Sequence, residues 1–279
     1  MSGCVLCGAE DRSTVFVEDG IDIVRCAACG HVYSTWSADA RFDGYWEGHA
    51  PENERDYWER AHAAMYQAFR ERFLDGSPGR LLDVGCGLGF FVQAAGRVPG
   101  WQAVGWEIST LAARWGVERL GVRIATGPFE EAGFAAGSFD LVTLWDVIEH
   151  LADPHATLWQ CRELLPDGGR IFLHTPNVDV QLPKARLQRT LGFRPATGYL
   201  QPRDHLNHYS ESSMRRLLER SGFAHPEFHH LPPIQSVGGG QAGLATIVKN
   251  GLFQTARVAS LVTGGRSNLD NLFVMARRA

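Results

Sequence analysis

The sequence predicts an α/β domain with a small cysteine-rich module ahead of it. Three observations carry this. From Arg80 onward, short apolar strand patterns alternate with helical ones, as in a largely parallel sheet covered by helices. An apolar strand ending at Val84 runs directly into a glycine-rich turn, Gly85-Cys86-Gly87-Leu88-Gly89. The N-terminal segment holds two Cys-x-x-Cys pairs, Cys4/Cys7 and Cys26/Cys29.

A chain of 279 residues is long enough for one ordinary domain plus an appendage. With 44% hydrophobic and 21% charged residues it is an ordinary soluble composition, which excludes wholesale disorder. A net charge of -4 gives no general attraction to nucleic acid or to an anionic membrane, although a local basic patch stays open. The start, Met1-Ser2-Gly3-Cys4, lacks the charged and apolar regions of an export signal. The most apolar stretch, 243–264, is broken by Lys249, Asn250, Gln254 and Arg257, and reads as one or two amphipathic helices rather than a membrane span. Paired cysteines without an export signal favour metal-bound thiolates in a reducing, cytoplasmic setting over disulfides.

Taken in order, residues 1–35 form the cysteine module. Eighteen residues separate Cys7 from Cys26, and Gly30 follows Cys29. Each pair aims two sulfurs at one point, and two pairs complete a tetrahedral four-thiolate zinc site. Such a site leaves no coordination position open, so a structural zinc ribbon is expected, folded by its metal. Cys86 and Cys161 have no partner at metal-binding spacing. Residues 36–78 are a linking segment carrying Trp36, Phe42, Tyr45, Trp46, Tyr57 and Trp58, with a helix over about 54–74. Strands are expected at 80–84, 102–107, 122–126, 139–145, 170–174 and 271–276. Helices are expected at 89–97, 110–120, 154–165 and 210–221, the last capped by Ser210. Residues 177–204 are long for a loop and suit a lid. That stretch carries Lys184, Arg186, Arg189, Arg194 and Arg203, with no acid between Asp179 and Asp204. Lying over a site, these cations would take a phosphorylated, nucleotide-linked or carboxylated ligand. The same stretch also fits a solvated amphipathic helix at 183–191.

The glycines let the backbone turn sharply and pass close to a ligand. Their spacing is not that of a dinucleotide site, because Gly89 follows Gly87 after one residue and Phe90 stands where the third dinucleotide glycine would be. Glu107 ends the second strand, twenty residues after Gly87, where an acid can accept both hydroxyls of a ribose. Asp83, this loop and Glu107 together resemble the class I S-adenosylmethionine (SAM)-dependent methyltransferases over roughly residues 80–279. The resemblance implies a Rossmann-like, seven-stranded sheet flanked by helices. It also implies that Asp83, Gly85, Gly87, Gly89 and Glu107 hold SAM, with Phe129 and Glu130 beside the adenine and Asp146 on the cofactor side. Phe139-Asp140-Leu141-Val142 matches the family's fourth strand, and Leu165-Pro166-Asp167-Gly168-Gly169 its turn before the fifth.

Asp146-Val147-Ile148-Glu149-His150 follows the fourth strand, whose carboxyl end faces the ligand crevice. If a helix starts there, Asp146 and Glu149 share a face with His150 beside them. The segment resembles the E-x-x-E-H motif of the ubiquinone-biosynthesis and small-RNA 2′-O-methyltransferases, with Asp146 in place of the first Glu. In those families the motif binds a divalent metal, which implies Mg2+ on Asp146, Glu149 and His150. A structural role at the strand end stays open. Asp204-His205-Leu206-Asn207-His208-Tyr209-Ser210 is similar to the E-H-L-x-x-F-S segment of ubiquinone-type methyltransferases. Its two histidines suit proton transfer near neutrality or a cap of the following helix.

The expected function is O-methylation of a small-molecule hydroxyl on a sugar or secondary-metabolite scaffold. His150 is expected nearest the reacting oxygen, as base or metal ligand, with His205 and His208 across the cleft. A cysteine ribbon joined to this fold also resembles sugar C-methyltransferases, whose added C-terminal domain is not seen here. An RNA methyltransferase that uses the ribbon for RNA contact, and a non-catalytic SAM-binding scaffold, are the alternatives. The ribbon makes a direct prediction: the reduced, folded protein should carry about one zinc per chain by elemental analysis. Cys26→Ser should lose that zinc.

Overall fold

A computed structural model of the chain describes residues 3–36, 51–74, 76–195, 198–232, 234 and 270–279. The aromatic residues Phe42, Tyr45 and Trp46 and the stretch 243–264 lie outside the described residues.

The N-terminal module is a short antiparallel sheet of β1 (Arg12–Glu18), β2 (Ile21–Cys26) and β3 (Val32–Ser34). Both cysteine knuckles close on a glycine with positive φ, Gly8 at 76° and Gly30 at 75°, a conformation that costs a side-chain-bearing residue energy. The expected helix over 54–74 is there but not regular. Helix α1 (Pro51–Asp56) passes through a π-helical turn at Tyr57–Ala61 into α2 (Ala63–Phe73). Helix α2 lays Phe69 against the main sheet, its ring centroid 4.7 Å from that of Phe172 and 5.3 Å from that of Trp145.

The main sheet begins at β4 (Gly79–Val84), followed by α3 (Phe90–Gly96), β5 (Trp101–Glu107), α4 (Thr110–Leu120) and β6 (Ile124–Thr126). After these come β7 (Leu141–Trp145), α5 (Pro154–Leu164), β8 (Arg170–Pro176) and α6 (Val178–Thr190). A two-residue strand β9 (Asn207–His208), α7 (Glu211–Arg220), β10 (Phe223–His229) and β11 (Asn271–Arg278) complete the described elements. Seven strands lie in the order β10-β11-β8-β7-β4-β5-β6. Strands β4 to β8 run parallel, and β11 and β10 run antiparallel at one side. Strand β7, with the sequence Leu-Val-Thr-Leu-Trp, is buried along its whole length, as the centre of a sheet covered on both faces requires. This is the Rossmann-like α/β architecture expected from the alternating pattern. Strand β10 was not expected: Pro226 interrupts it, and its register with β11 shifts between Ala224 and Glu227 to accommodate that break.

Two other departures matter for the site. The sequence division at residue 35 leaves β9 outside the cysteine module, yet β9 is the fourth strand of the module's own sheet. Val32 pairs with His208, and Tyr33 with Asn207. Buried His31 donates from Nε2 to Asn207 Oδ1 at 3.1 Å, and Asn207 Nδ2 donates to the Leu151 carbonyl at 2.7 Å. Phe16, Ile23 and Val32 of the module share one apolar cluster with Val178, Leu182, Ala185 and Leu200.

The second departure is the basic stretch. Instead of a loop over the crevice it forms α6, docked on the module. Arg186 donates to the Val15 carbonyl at 2.9 Å, Arg189 to that of Val17, and Arg194 pairs with Asp19 at 2.6 Å. Lys184 pairs with Asp270, and Arg203 lies over the Trp36 ring. For Arg186 and Arg189 the partners are carbonyls of β1, an edge strand whose outward acceptors have no neighbouring strand to take them. Among the described residues, no helix is long and apolar enough to cross a membrane.

Asn207 is the buried link in this seam. Asn207→Ala orphans His31 Nε2 and the Leu151 carbonyl, so it should lower stability by about 2 kcal/mol or more, read from the urea midpoint at unchanged m-value.

Candidate active site

The carboxyl ends of the parallel strands carry the cofactor-side residues. At the end of β4 the chain turns through Gly85 (φ 70°), Gly87 (φ 53°) and Gly89 (φ 82°). A Cβ on Gly85 would lie 2.5 Å from Val147 Cγ2, so glycine there lets the loop pack under the β7 end. Gly85 and Cys86 both donate from the backbone to the Trp106 carbonyl, at 2.7 and 3.1 Å. The buried Glu107 carboxylate accepts from Gly87 N at 2.7 Å and from Ser109 N at 2.9 Å. It therefore joins the glycine loop to the start of α4, as its position twenty residues after Gly87 requires. Burial raises its pKa against those amide bonds. Asp83 is also buried and accepts from Thr143 Oγ1 at 2.7 Å. Burial pushes its pKa up to about 8, with the Glu107 charge adding to the rise and the Thr143 bond opposing it. Phe129 is half-buried against Trp106, with centroids 6.1 Å apart, and Glu130 is exposed; both sit in a 3-10 turn just past β6. The loop, the strand-end acids and the turn past β6 thus all sit at or just past the carboxyl ends of β4, β5 and β6.

Asp146 departs from the expectation. It takes a left-handed conformation, φ 52°, directly after β7, so no regular helix starts there. Its Oδ1 lies 3.1 Å from Nδ1 of fully buried His174, an electrostatic contact rather than an aligned hydrogen bond. Burial alone would raise the Asp146 carboxyl, but His174, His62 and His150 outweigh it and hold the pKa below the usual value. Asp146 consequently stands apart from the proposed metal group and faces the histidines of β8 and of the N-terminal helices.

The group that does come together is Glu149, His150 and His205, whose ligand atoms lie within 4.8 Å of one another. A 3-10 turn, Ile148–His150, supplies the first two. His150 Nδ1 donates to the Asp204 carbonyl at 2.8 Å, which sets the tautomer and leaves the lone pair on Nε2. The His150 and His205 rings meet edge-on with centroids 4.9 Å apart, and His208 lies 6.2 Å beyond His205. Glu149 is 1% exposed, and neither of its oxygens has a hydrogen-bond partner among the described residues. Burial, with Asp146 nearby, pushes its pKa far up. Burial also lowers His205 well below the usual imidazole value, with His150 and His208 adding to the effect, and brings His208 down to about 3. Glu149, His205 and His208 open on a cavity of about 80 Å³, also lined by Thr175, Gln181 and Gln201. That volume admits a few waters, or an ion and the reacting end of a ligand. Among the described residues no Lys or Arg lines it.

The four cysteines gather as expected. None is in a disulfide, and the Sγ pairs Cys4–Cys29 and Cys7–Cys26 are each 3.5 Å apart. A disulfide would need about 2.05 Å, whereas a tetrahedron with Zn–S bonds of about 2.3 Å has edges of about 3.8 Å. The donor set and its spacing fit one tetrahedral ion.

Sequence reasoning missed His62, His174 and Thr175. The last two end β8 at the crevice, a position that alone could have marked them; nothing in its own stretch marked His62.

Comparison with known proteins now decides the family. The model described as "Methyltransferase domain" matches residues 57–225, more than half of the chain. The chain belongs to that family. The SAM-dependent methyltransferase is 31% identical over 174 residues to a ubiquinone biosynthesis O-methyltransferase of Bordetella avium, covering 57% of this chain and 70% of that one. It is 34% identical over 110 residues to the protein of the same name from Xanthomonas axonopodis pv. citri, covering 37% of this chain and 46% of that one. The match thus spans under half the length of the latter. Among solved structures, a phosphoethanolamine N-methyltransferase 2 of Haemonchus contortus superposes with a TM-score of 0.61 at 19% identity, over 88% of this chain and 63% of that one. A Thermotoga maritima SAM-dependent methyltransferase gives 0.55 at 16% identity, over 84% and 98%. These two establish the fold alone.

Glu107 offers the direct check on the cofactor side. Glu107→Ala should weaken SAM binding about tenfold or more, because charged hydrogen bonds contribute roughly 1.5–3 kcal/mol each. Calorimetric titration with S-adenosylhomocysteine reads this without any acceptor.

Proposed function

We propose that this methyltransferase transfers the methyl group of SAM to a hydroxyl oxygen of a small molecule, a sugar or a secondary-metabolite scaffold, at the cavity beside Glu149. The observation that carries this is the buried Glu149 carboxyl, with both oxygens orphaned and two imidazoles at ligand distance. A buried carboxyl left unpaired is costly, and a divalent cation shared with His150 and His205 would satisfy it. Bound there, Mg2+ or Mn2+ would lower the pKa of a hydroxyl oxygen. The O-methyltransferase names of the relatives agree with an oxygen acceptor.

In this reading the glycine loop and Glu107 hold the nucleoside, Glu107 accepting from the ribose hydroxyls. Asp83 braces the loop through Thr143. Phe129 and Glu130 flank the adenine, and Asp146 lies on the cofactor side of the crevice. His150, its Nδ1 proton committed to the Asp204 carbonyl, presents Nε2 as cation ligand or as proton acceptor. His205 and His208 close the far wall. SAM when bound supplies an electrophilic methyl on a sulfonium, so the protein's work is alignment of donor and acceptor. None of the basic residues of 177–204 lines the cavity, so an acidic group on the acceptor is not part of this proposal. Zinc on Cys4, Cys7, Cys26 and Cys29 is proposed as a structural ion.

The two ways of activating the acceptor separate experimentally. With a metal, turnover falls on treatment with a chelator too weak to strip the four-thiolate site and returns with Mg2+ or Mn2+. With an imidazole base, the chelator has no effect and the rate falls as pH drops below the histidine pKa. Full turnover of His150→Ala under both conditions would sink both mechanisms. Salt-dependent retention on RNA would favour an RNA acceptor instead.

A further inference from the structure

Glu18 closes β1 at the tip of the module's first hairpin, outside every residue assigned so far. It is 4% exposed, an unusual place for an acidic side chain. Its two oxygens are taken up by main chain from the other end of the protein. Oε1 accepts from Tyr199 N at 2.6 Å, and Oε2 accepts from Leu200 N at 2.8 Å. The preceding Gly198 has φ 89°, and a Cβ there would stand 2.4 Å from Glu18 Oε1, so only glycine lets this carboxylate approach. The neighbouring Asp19 adds the contact to Arg194. Further along, Ser34 Oγ donates to the Pro202 carbonyl at 2.6 Å, and Ser34 N to that of Leu206 at 2.9 Å.

What Glu18 holds is a wall of the cavity. Tyr199, Leu200 and Gln201 line it directly, and the same strand of chain continues to His205 and His208. The Tyr199 ring is clamped from the module side, edge-on to Phe16 with centroids 5.6 Å apart. A carboxylate receiving two successive backbone amides fixes both position and orientation of a peptide segment, as a single hydrogen bond could not.

We propose that Glu18 is a positioning residue of the methyltransferase: from the cysteine module it sets the main chain at Tyr199 and Leu200, and through it the acceptor-side wall that ends in His205 and His208. This rests on reading the cavity beside Glu149 as the acceptor site. The module is then a working part of that site rather than an appendage.

The test uses the full chain with Glu18→Ala and Glu18→Gln. Zinc content and S-adenosylhomocysteine affinity should stay within about twofold of wild type, since the thiolates and the glycine loop are untouched. Amide exchange across 198–208 should accelerate about tenfold or more, the loss of roughly one charged hydrogen bond. His208 should become open to diethylpyrocarbonate. Mn2+ alone, followed by its electron paramagnetic resonance signal, should bind about tenfold more weakly. Glu18→Gln keeps one acceptor oxygen and should fall between wild type and Glu18→Ala. Unchanged exchange at 198–208 overturns the proposal. So does loss of zinc with exchange rising throughout 3–36, which would make Glu18 a stabiliser of the module alone. Local acceleration in the variants, with a wild-type protein that binds no Mn2+, would uphold the positioning role and remove the metal from the acceptor site.

Discussion

The acceptor side proposed for this methyltransferase depends on one short ladder, the pairing of β3 with β9. Two residues, Asn207 and His208, leave the catalytic domain to become the fourth strand of another sheet. Such a strand has little stability of its own, and everything around it supplies what it lacks. His31 and Leu151 hold the Asn207 side chain from both sides. Tyr209 is fully buried immediately after it, its ring beside that of His31. The capping box of α7, between Ser210 and Ser213, then fixes the direction in which the chain leaves. His205 and His208 are where they are because this seam is where it is.

The two halves of the site have different origins. The cofactor half is local: glycine loop, Glu107 and the strand ends belong to consecutive βα units, and their geometry follows from parallel pairing of β4 with β5 and β7. The acceptor half is assembled from distant pieces. Glu149 and His150 come from the turn after β7, His205 from the run into β9, and the wall between them from the segment after α6. Between the halves stands Asp146, left-handed and facing His174 and His62.

This division explains what could be read in the sequence. The places of Asp83, the glycine turn and Glu107 at the ends of β4 and β5 were legible because they are set by short-range spacing, and α4 was expected at its observed bounds, 110–120. The expected grouping of Asp146 with Glu149 and His150 differs from the one the chain makes. Helical periodicity placed Asp146 and Glu149 on one face, but the chain turns left-handed at Asp146 and only then enters a 3-10 turn, and the side chain that joins Glu149 and His150 is His205, 55 positions after His150. Strand β9 is too short to show alternation, and the proline in β10 argues against a strand. The basic run of 177–204 showed its charge but not its partners, which for Arg186 and Arg189 are main-chain carbonyls of β1 that no residue pattern advertises.

The shared sheet also bears on how such a protein can be inherited or rebuilt. An N-terminal module of this size invites the view that it is a cassette, gained or lost between methyltransferases without altering the host. Here His31 and Asn207 touch across 176 positions of sequence, and Glu18 needs a glycine at 198. The unit of exchange is therefore the module together with residues 178–209. A chimera that moved one without the other would keep the glycine loop and lose a wall of the cavity beside Glu149.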